Sequence, residues 1–438
     1  MPSSEHKRKW YRDFSRLPPI REEGDFRISL QTTAVQRRVT VILPEGLSFA
    51  SRFDHVTGSA IREIFKVLTR PNMISFAGGS PSAEALPDGE CAELARQVLL
   101  DDGKRILQYG ATEGYPPFVE SLISYLMEHY GFEAQPSDVL PTTGSTSCMD
   151  LLCKVFLNPG DTVLVESPTF LGNMQTLRLY EANLVSIPSD EDGVLIDALE
   201  EAASKYHPKL FYVIPCFQNP SGRTLSLERR RKIAELAAKY HFLVMEDDPY
   251  RDLRYAGETL PTIKSFDREG YVVYCGSFSK IISPGLRLGY LYGQEDIVRK
   301  CAIGKQGTDL HTSNLTQAVV DAFLRRGLLE PHIQAILPGY RDKLNAMADE
   351  LERFPDGTKF SRPEGGLFLF AELPEPLNAT ELFQQAVERG VAYVPGSFFY
   401  PEGGHPNTLR LNFSNSTMEQ IHQGMSVLRK LFEESLGH

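Results

Sequence analysis

The feature that most constrains the fold is an alternation of short apolar segments and helical segments between residues 162 and 277. Helical segments such as SLERRRKIAELAAKYH (226–241), where Ser226 is placed to cap the N-terminus, lie between several of the apolar runs. Strands that are apolar along their length and alternate with helices predict a mostly parallel sheet with helices on both faces. The predicted fold class is therefore α/β. The runs are TVLVES (162–167), LVSIP (184–188), LFYVIP (210–215), FLVME (242–246) and YVVYCGS (271–277).

The chain is long enough for two domains, and its pattern changes near residue 325. At 438 residues it can bury a large core. Beyond residue 325, short strands at 365–373, 390–396 and 408–414 lie between a long helical segment (331–354) and a final helix (418–435), which is typical of an α+β domain. We expect an N-terminal extension of uncertain order at 1–45, an arm with a helix (58–70) at 46–75, a large domain at 76–325 and a small C-terminal domain at 326–438.

Charge and cysteine content argue against several classes of protein. The net charge of −11 and the pI near 5.5 disfavour non-specific nucleic-acid binding, which needs a basic surface. The six cysteines form no C-x-x-C pair, so we expect neither a metal site nor a disulfide framework. No apolar run reaches the roughly 18 residues of a membrane span, and the polar N-terminus lacks the apolar centre of a secretory signal. We predict a cytoplasmic protein with reduced thiols and no membrane partner.

Ligands of open α/β sheets bind at the carboxyl ends of the strands, and two motifs at such positions suit a phosphate. PTTGSTSCMDLL (141–152) places Gly144, Ser145 and Thr146 at the start of a helix, where free N–H groups and the helix dipole attract anions. Taken alone, a capped helix after a glycine turn is the simpler interpretation.

The second motif is SFSKIISPGLRLGY (277–290), which places Lys280 directly after a buried strand. A lysine becomes a nucleophile when desolvation or a neighbouring cation lowers its pKa. Ser277, Ser279 and Arg287 could bind phosphate, and Arg287 would also help to keep Lys280 neutral. An ordinary surface lysine at a strand end is the alternative.

Two further strand ends suit an aromatic ring. In VMEDDPYRDL (244–253), Asp247 ends a buried strand and needs a cation or donor, which a protonated heteroaromatic nitrogen would supply. Tyr250 could then reach an oxygen on the same ring. In PCFQNPSG (215–222), Asn219 is held extended or in a turn by Pro220 and could aim its amide at a ring substituent. Each motif alone could be a plain turn, but together the four describe a phosphorylated, protonatable aromatic aldehyde bound to a lysine, which is pyridoxal phosphate (PLP).

The motifs GSTS, QNPSG, EDDPY and SFSKIISPGLRLGY, in this order, resemble those of fold-type I PLP enzymes, the class I/II aminotransferases. The nearest branch contains the 2-aminoadipate, kynurenine and aromatic aminotransferases. MISFAGGSPSAEALP (73–87), LQYGATEGYPPFVESL (107–122) and TLRLNFS (408–414) extend the resemblance to residues 55–435. It implies a large domain with a mostly parallel seven-stranded sheet and a smaller α+β C-terminal domain.

The resemblance also implies a role for each site residue. Lys280 would form the aldimine with PLP and move the substrate proton, and Asp247 would pair with the ring nitrogen. Tyr250 and Asn219 would bind the phenolic oxygen, and Phe170 would stack on the ring where relatives often have tyrosine. The phosphate would be held by Gly144, Ser145, Thr146, Ser277, Ser279, Arg287 and, from a neighbouring subunit, Tyr109.

On the substrate side, the resemblance assigns Arg410 to the α-carboxylate, because a planar guanidinium binds a carboxylate in two places. Gly79 would lie beside the substrate, together with Asn219 and Tyr109. The segment at 59–64 would cover the site and influence side-chain choice.

The implied reaction is a ping-pong transfer of an amino group from an L-amino acid (aromatic, 2-aminoadipate-like or branched) to a 2-oxo acid, with 2-oxoglutarate expected, in a homodimer. One alternative is a PLP-dependent C–S lyase or cyclising enzyme, since the same lysine and aspartate serve these reactions. The other is a ligand-sensing regulator of the same fold. The acidic charge and the absence of a helix-turn-helix pattern in the roughly 55 residues before the match disfavour the regulator.

Overall fold

The computed structural model describes Pro44, residues 47–53 and residues 73–437. The helix predicted at 58–70 and the covering segment at 59–64 lie outside these residues. Of the predicted extension at 1–45, only Pro44 is described. The domain boundaries stay predictions.

The strands of the described chain are, in order, β1 Ile74–Ser75, β2 Val139–Thr142, β3 Thr162–Ser167, β4 Asn183–Asp190, β5 Gly193–Val194, β6 Leu210–Val213, β7 Leu243–Asp247, β8 Val272–Ser277, β9 Gly289–Tyr292, β10 Lys359–Phe360, β11 Phe368–Glu372, β12 Val391–Ala392, β13 Val394–Pro395 and β14 Thr408–Asn412. Every strand segment predicted from the sequence overlaps at least one of these strands.

The helices are α1 Asp88–Ile106, α2 Pro116–Tyr130, α3 Ser145–Phe156, α4 Leu171–Leu179, α5 Ile196–Tyr206, α6 Leu227–Tyr240, α7 Glu295–Gln306, α8 Asn314–Arg325, α9 Leu329–Leu351, α10 Ala379–Glu388 and α11 Met418–Leu436. The predicted helices at 226–241, 331–354 and 418–435 correspond to α6, α9 and α11. Ser226 occupies the N-cap of α6, although its side chain makes no capping hydrogen bond.

The larger sheet has the strand order β2-β9-β8-β7-β6-β3-β4-β5. Its central pairs are parallel, whereas β9 pairs antiparallel with both β2 and β8, and β5 pairs antiparallel with β4. The prediction of an α/β fold with a mostly parallel sheet is therefore confirmed. The two-residue strand β5 adds an eighth strand to the seven expected.

The two faces of this sheet carry different kinds of side chain. Leu164, Phe211 and Val244 pack with α5 and α6 in one apolar cluster. Because side chains alternate along a strand, Tyr212, Met245 and Asp247 point to the opposite face. On that face lies α3, whose Cys148 donates from Sγ to the carbonyl of Tyr290 in β9 at 3.6 Å. Asp247 is thus the last residue of a buried strand. It points to the same face of the sheet as the N-terminus of α3, which the sequence predicts to bind phosphate.

A smaller antiparallel sheet has the order β10-β11-β14-β13, and β1 pairs with β12 in a separate parallel ladder. In its register Arg410 of β14 lies opposite Phe370 of β11. None of the described helices is both long and apolar enough to cross a membrane.

The fully buried Arg230 on α6 forms hydrogen bonds with the loop between β6 and α6, which contains Asn219. Its guanidinium donates to the carbonyls of Leu225 (2.9 Å), Pro215 (2.8 Å) and Pro261 (3.0 Å). Pro215 and Leu225 are buried, so these bonds satisfy two carbonyls that have little access to water, and we expect the loop to depend on this one side chain.

Replacing Arg230 with alanine should lower the free energy of unfolding by about 3–5 kcal/mol, because buried carbonyls lose their donor and the acidic neighbours Asp248 and Glu246 lose a positive charge. Urea unfolding followed by circular dichroism measures the change. The control is Arg231→Ala, one residue along on the exposed side of α6, with an expected change within about 0.5 kcal/mol. Equal effects of the two substitutions would contradict the role given to Arg230.

Candidate active site

A cavity of about 360 Å³ lies at the carboxyl ends of β6, β7 and β8. All of the site residues predicted from the sequence line it except Gly144 and Tyr109. A second cavity of about 640 Å³, beside Phe370 and Tyr400, contains none of them. The predicted residues in the first cavity are Gly79, Ser145, Thr146, Phe170, Asn219, Asp247, Tyr250, Ser277, Ser279, Lys280, Arg287 and Arg410.

Gly144 lies just behind the cavity wall, where it allows Arg287 to approach the start of α3. Its φ of 83° favours glycine, and a Cβ there would lie 2.6 Å from Nη2 of Arg287. That nitrogen donates to the carbonyl of Thr143 at 3.2 Å. The guanidinium is therefore held beside the first turn of α3, where Ser145 and Thr146 line the cavity. This corner combines a fixed cation with free helix N–H groups and suits a phosphate.

Lys280 places its amine inside the cavity, with Nζ donating to the carbonyl of Gly79 at 2.9 Å. The pKa of Lys280 is lowered to about 8, chiefly by burial and in addition by the positive charges of Arg287 and Arg410, whereas the negative charge of Asp247 opposes the shift. An appreciable fraction of the amine is therefore neutral near physiological pH and available as a nucleophile or base.

Asp247 is fully buried and binds its neighbours through one oxygen only. Oδ2 accepts hydrogen bonds from the hydroxyl of Tyr212 (2.9 Å) and Nδ2 of Asn173 (3.4 Å). Oδ1 is buried and has no hydrogen-bond partner within the described chain. Burial raises the pKa of Asp247 to about 6, and the bond from Tyr212 opposes that rise. An unpaired buried carboxylate oxygen at a cavity wall suits a cationic ring nitrogen.

Arg410 lines the same cavity and is held in place by two hydrogen bonds and two aromatic rings. Nη1 donates to Oδ1 of Asn219 (2.9 Å) and Nη2 to the carbonyl of Ala77 (2.6 Å). The guanidinium lies over the rings of Phe368 and Phe399, 4.4 and 5.1 Å from their centroids. Burial lowers the pKa of Arg410 to about 10, so it is still charged at neutral pH. It can bind a carboxylate.

Asn219 contacts both Arg410 and Tyr250. Its amide accepts from Arg410, and its Nδ2 lies 3.5 Å from the hydroxyl of Tyr250. Burial raises the pKa of Tyr250, so the phenol keeps its proton near neutral pH. The Tyr250 hydroxyl can therefore donate a hydrogen bond into the cavity.

Tyr109 lies apart from this cavity and is 80% exposed, with its ring edge against His311. Its predicted action on the phosphate was assigned to a neighbouring subunit. A second chain would have to bring it to the site.

Sequence reasoning missed four residues of the site. Tyr212 and Asn173 bind Asp247, and Phe368 and Phe399 enclose Arg410. Only Tyr212 could have been found from the sequence. It carries a hydroxyl within the apolar strand LFYVIP, and alternation along the strands places it on the same face of the sheet as Asp247. The other three depend on contacts between distant segments.

Comparison with known proteins gives the family. Residues 71–428 match the model of the family "Aminotransferase class I and II". The chain belongs to this family. The predicted class I/II resemblance is therefore confirmed, as is the fold-type I architecture.

Among its relatives, aromatic-amino-acid aminotransferase 1 of Thermococcus litoralis is 39% identical over 394 residues, covering 89% of this chain and 94% of that protein. The crystal structure of kynurenine aminotransferase from Pyrococcus horikoshii matches with a TM-score of 0.85 and 38% identity, over 89% of this chain and 97% of that one. An α-aminoadipate aminotransferase from Thermus thermophilus, crystallised with N-(5′-phosphopyridoxyl)-L-leucine, matches with a TM-score of 0.83 and 37% identity, over 89% and 98%.

The chain is thus a PLP-dependent aminotransferase, which acts on amino acids and 2-oxo acids. The cavity fits this cofactor on three independent grounds. Lys280 offers an amine of lowered pKa for the aldehyde, the unpaired Oδ1 of Asp247 suits a protonated ring nitrogen, and the close approach of Arg287 to Gly144 forms an anion site. The prediction of PLP is confirmed.

In the cofactor-free aminotransferase, Lys280 should titrate near pH 8, well below the ordinary lysine value of 10.5. Reductive methylation across a pH series, with the extent at each lysine read by mass spectrometry, measures this. Arg410→Gln should raise the midpoint, because one neighbouring positive charge is removed.

The surface residue Lys239 is the internal control, since its hydrogen bond to Glu200 raises its pKa above 10.5. A midpoint for Lys280 at or above that of Lys239 would contradict the effect of burial described here.

Proposed function

We propose that this aminotransferase moves the amino group of an L-amino acid with an aromatic, 2-aminoadipate-like or branched side chain to a 2-oxo acid, with 2-oxoglutarate as the expected acceptor. The observation that carries the proposal is a single cavity lined both by a lysine of lowered pKa and by a charged arginine that hydrogen bonds hold in place. The names of the relatives, which cover aromatic, kynurenine and aminoadipate substrates, support this range of donors.

The cofactor residues take the roles that their surroundings favour. Lys280 captures the cofactor and then carries the proton of the substrate Cα, and a pKa of about 8 suits both directions of that transfer. Asp247 presents Oδ1 to the ring nitrogen. PLP, when bound, takes up the electrons released at Cα. Tyr250 and Asn219 would bind the ring oxygen.

The remaining contacts fix the two ends of the bound molecules. Ser145, Thr146, Ser277, Ser279 and Arg287 hold the phosphate at the start of α3, with Gly144 behind them. Phe170 covers one face of the ring. Arg410 binds the α-carboxylate, and the fixed plane of its guanidinium orients Cα toward Lys280. Gly79 leaves space beside that position.

We also propose a homodimer in which Tyr109 acts on the phosphate of its partner. Three large apolar side chains in this part of the sequence are exposed and suit a subunit interface: Leu100, Leu107 and Tyr109 are 68%, 73% and 80% exposed. A cytoplasmic location is supported by the cysteines, all six of which are free of disulfides.

The half-reaction tests the proposed chemistry. With L-phenylalanine, L-2-aminoadipate or L-leucine and no acceptor, the PLP-loaded protein should release about one equivalent of 2-oxo acid per site and then stop, because the amino group stays on the cofactor. Adding 2-oxoglutarate should restart turnover. Lys280→Ala should remove this reaction and the yellow colour of lysine-bound PLP, while the surface control Lys239→Ala keeps both.

Continuous release of pyruvate and ammonia from a cysteine conjugate, without need of an acceptor, would instead establish the C–S lyase alternative. The same panel of donors ranks the side chains that the cavity accepts.

Mixed dimers test the placement of Tyr109. Tyr109→Ala and Lys280→Ala should each impair the homodimer, since every site then has one defect. After the two proteins are unfolded together and refolded, mixed dimers have one intact site, and activity should reappear. Native mass spectrometry counts the mixed species. Mixed dimers without recovered activity would show that Tyr109 acts within its own chain, and a monomer in sedimentation would refute the dimer.

A further inference from the structure

The hydroxyl of Tyr212 occupies an unexpected place in the central sheet. Tyr212 lies in β6, whose other residues Leu210, Phe211 and Val213 are apolar and buried. A phenylalanine would fill the same volume without bringing a polar group into the core, so the hydroxyl needs its own explanation.

The register of the strands supplies that explanation. Tyr212 lies beside Met245 of β7, and Asp247 follows two residues further along on the same face. A tyrosine side chain is long enough to span this step, and its hydroxyl reaches Oδ2 of Asp247 at 2.9 Å. The contact thus follows from the pairing of two parallel strands and does not depend on a loop.

A second donor comes from a helix. Asn173 in the first turn of α4 is buried and directs Nδ2 to the same oxygen at 3.4 Å. Both donors therefore bind Oδ2, and neither binds Oδ1, which has no hydrogen-bond partner among the described residues and lies at the cavity wall. Two donors on one oxygen fix the rotation of the carboxylate.

We propose that Tyr212, assisted by Asn173, is a positioning residue that holds Oδ2 of Asp247 so that Oδ1 faces the ring nitrogen of the cofactor. The inference rests on the proposed role of Asp247.

The donors also act on the charge of Asp247. Burial favours the neutral carboxyl, and hydrogen bonds to the carboxylate favour the anion. The other groups that act on this carboxyl are Asp248, which raises its pKa, and Ser145 and Lys280, which lower it. Without the Tyr212 hydroxyl, the carboxyl would hold its proton to a higher pH and would stabilise a protonated ring nitrogen less well.

The test compares two cofactors. Apoprotein is titrated with PLP and with its 1-deaza analogue, in which carbon replaces the ring nitrogen. For Tyr212→Phe we expect roughly tenfold weaker binding of PLP, as for the loss of one hydrogen bond to a charged group. Binding of the analogue should change less than about twofold, because it has no nitrogen for Asp247 to bind.

Two further variants keep the result interpretable. Tyr393→Phe removes another fully buried hydroxyl, which donates to the carbonyl of Ala379 far along the chain, and should alter neither affinity. Asn173→Ala should also weaken the binding of PLP more than that of the analogue, with a smaller loss of affinity than Tyr212→Phe. It provides the test if Tyr212→Phe does not fold.

The outcomes separate this inference from the function of Asp247. If Asp247→Ala weakens the binding of PLP but not of the analogue, while Tyr212→Phe changes the two affinities equally, the positioning role alone is overturned. If Asp247→Ala also changes the two affinities equally, the proposed function of Asp247 fails with it. If Asp247→Ala and Tyr212→Phe both weaken the binding of PLP and leave that of the analogue unchanged, the inference is supported.

Discussion

Desolvation of charged groups at the carboxyl end of one sheet is the constraint on which the rest of this structure depends. Asp247, Lys280 and Arg410 are all removed from water in a single cavity, which would be unfavourable for any one of them alone. The attraction between Asp247 and Lys280, together with the hydrogen bonds that each of the three groups makes, offsets part of that cost. The same burial brings the lysine and the aspartate to proton affinities near neutrality, where acid–base chemistry is effective.

This cavity also ties distant parts of the chain together. Arg410 of β14 bonds to Ala77 just after β1 and to Asn219 in the loop after β6, while Lys280 bonds to Gly79. The pairing of β1 with β12 brings residues 74–75 to the C-terminal part of the fold. Assembly of the site therefore requires that residues more than three hundred positions apart have already packed.

The sequence allowed the α/β class and most of the site to be predicted, because apolar strand runs and polar strand ends are local features. Three kinds of feature were not predicted. β2 and β9 are four-residue strands whose pairing is antiparallel, and they depend on neighbours rather than on their own pattern. Tyr212 is concealed in an apolar run, and Phe399 meets Arg410 only after folding. Gly144 was predicted to bind phosphate, whereas its visible effect is to leave space for Arg287.

The enclosure of Arg410 between Phe368 and Phe399 has a stereochemical consequence. Its plane cannot rotate freely, since two rings and two hydrogen bonds fix it. If the carboxylate is anchored there and the amine is directed to the cofactor, the third substituent and the hydrogen on Cα have only two arrangements. One of them turns the hydrogen toward Lys280, and the mirror-image amino acid turns it away. The chirality of the substrate would thus be read by a rigid arginine rather than by any contact with the side chain.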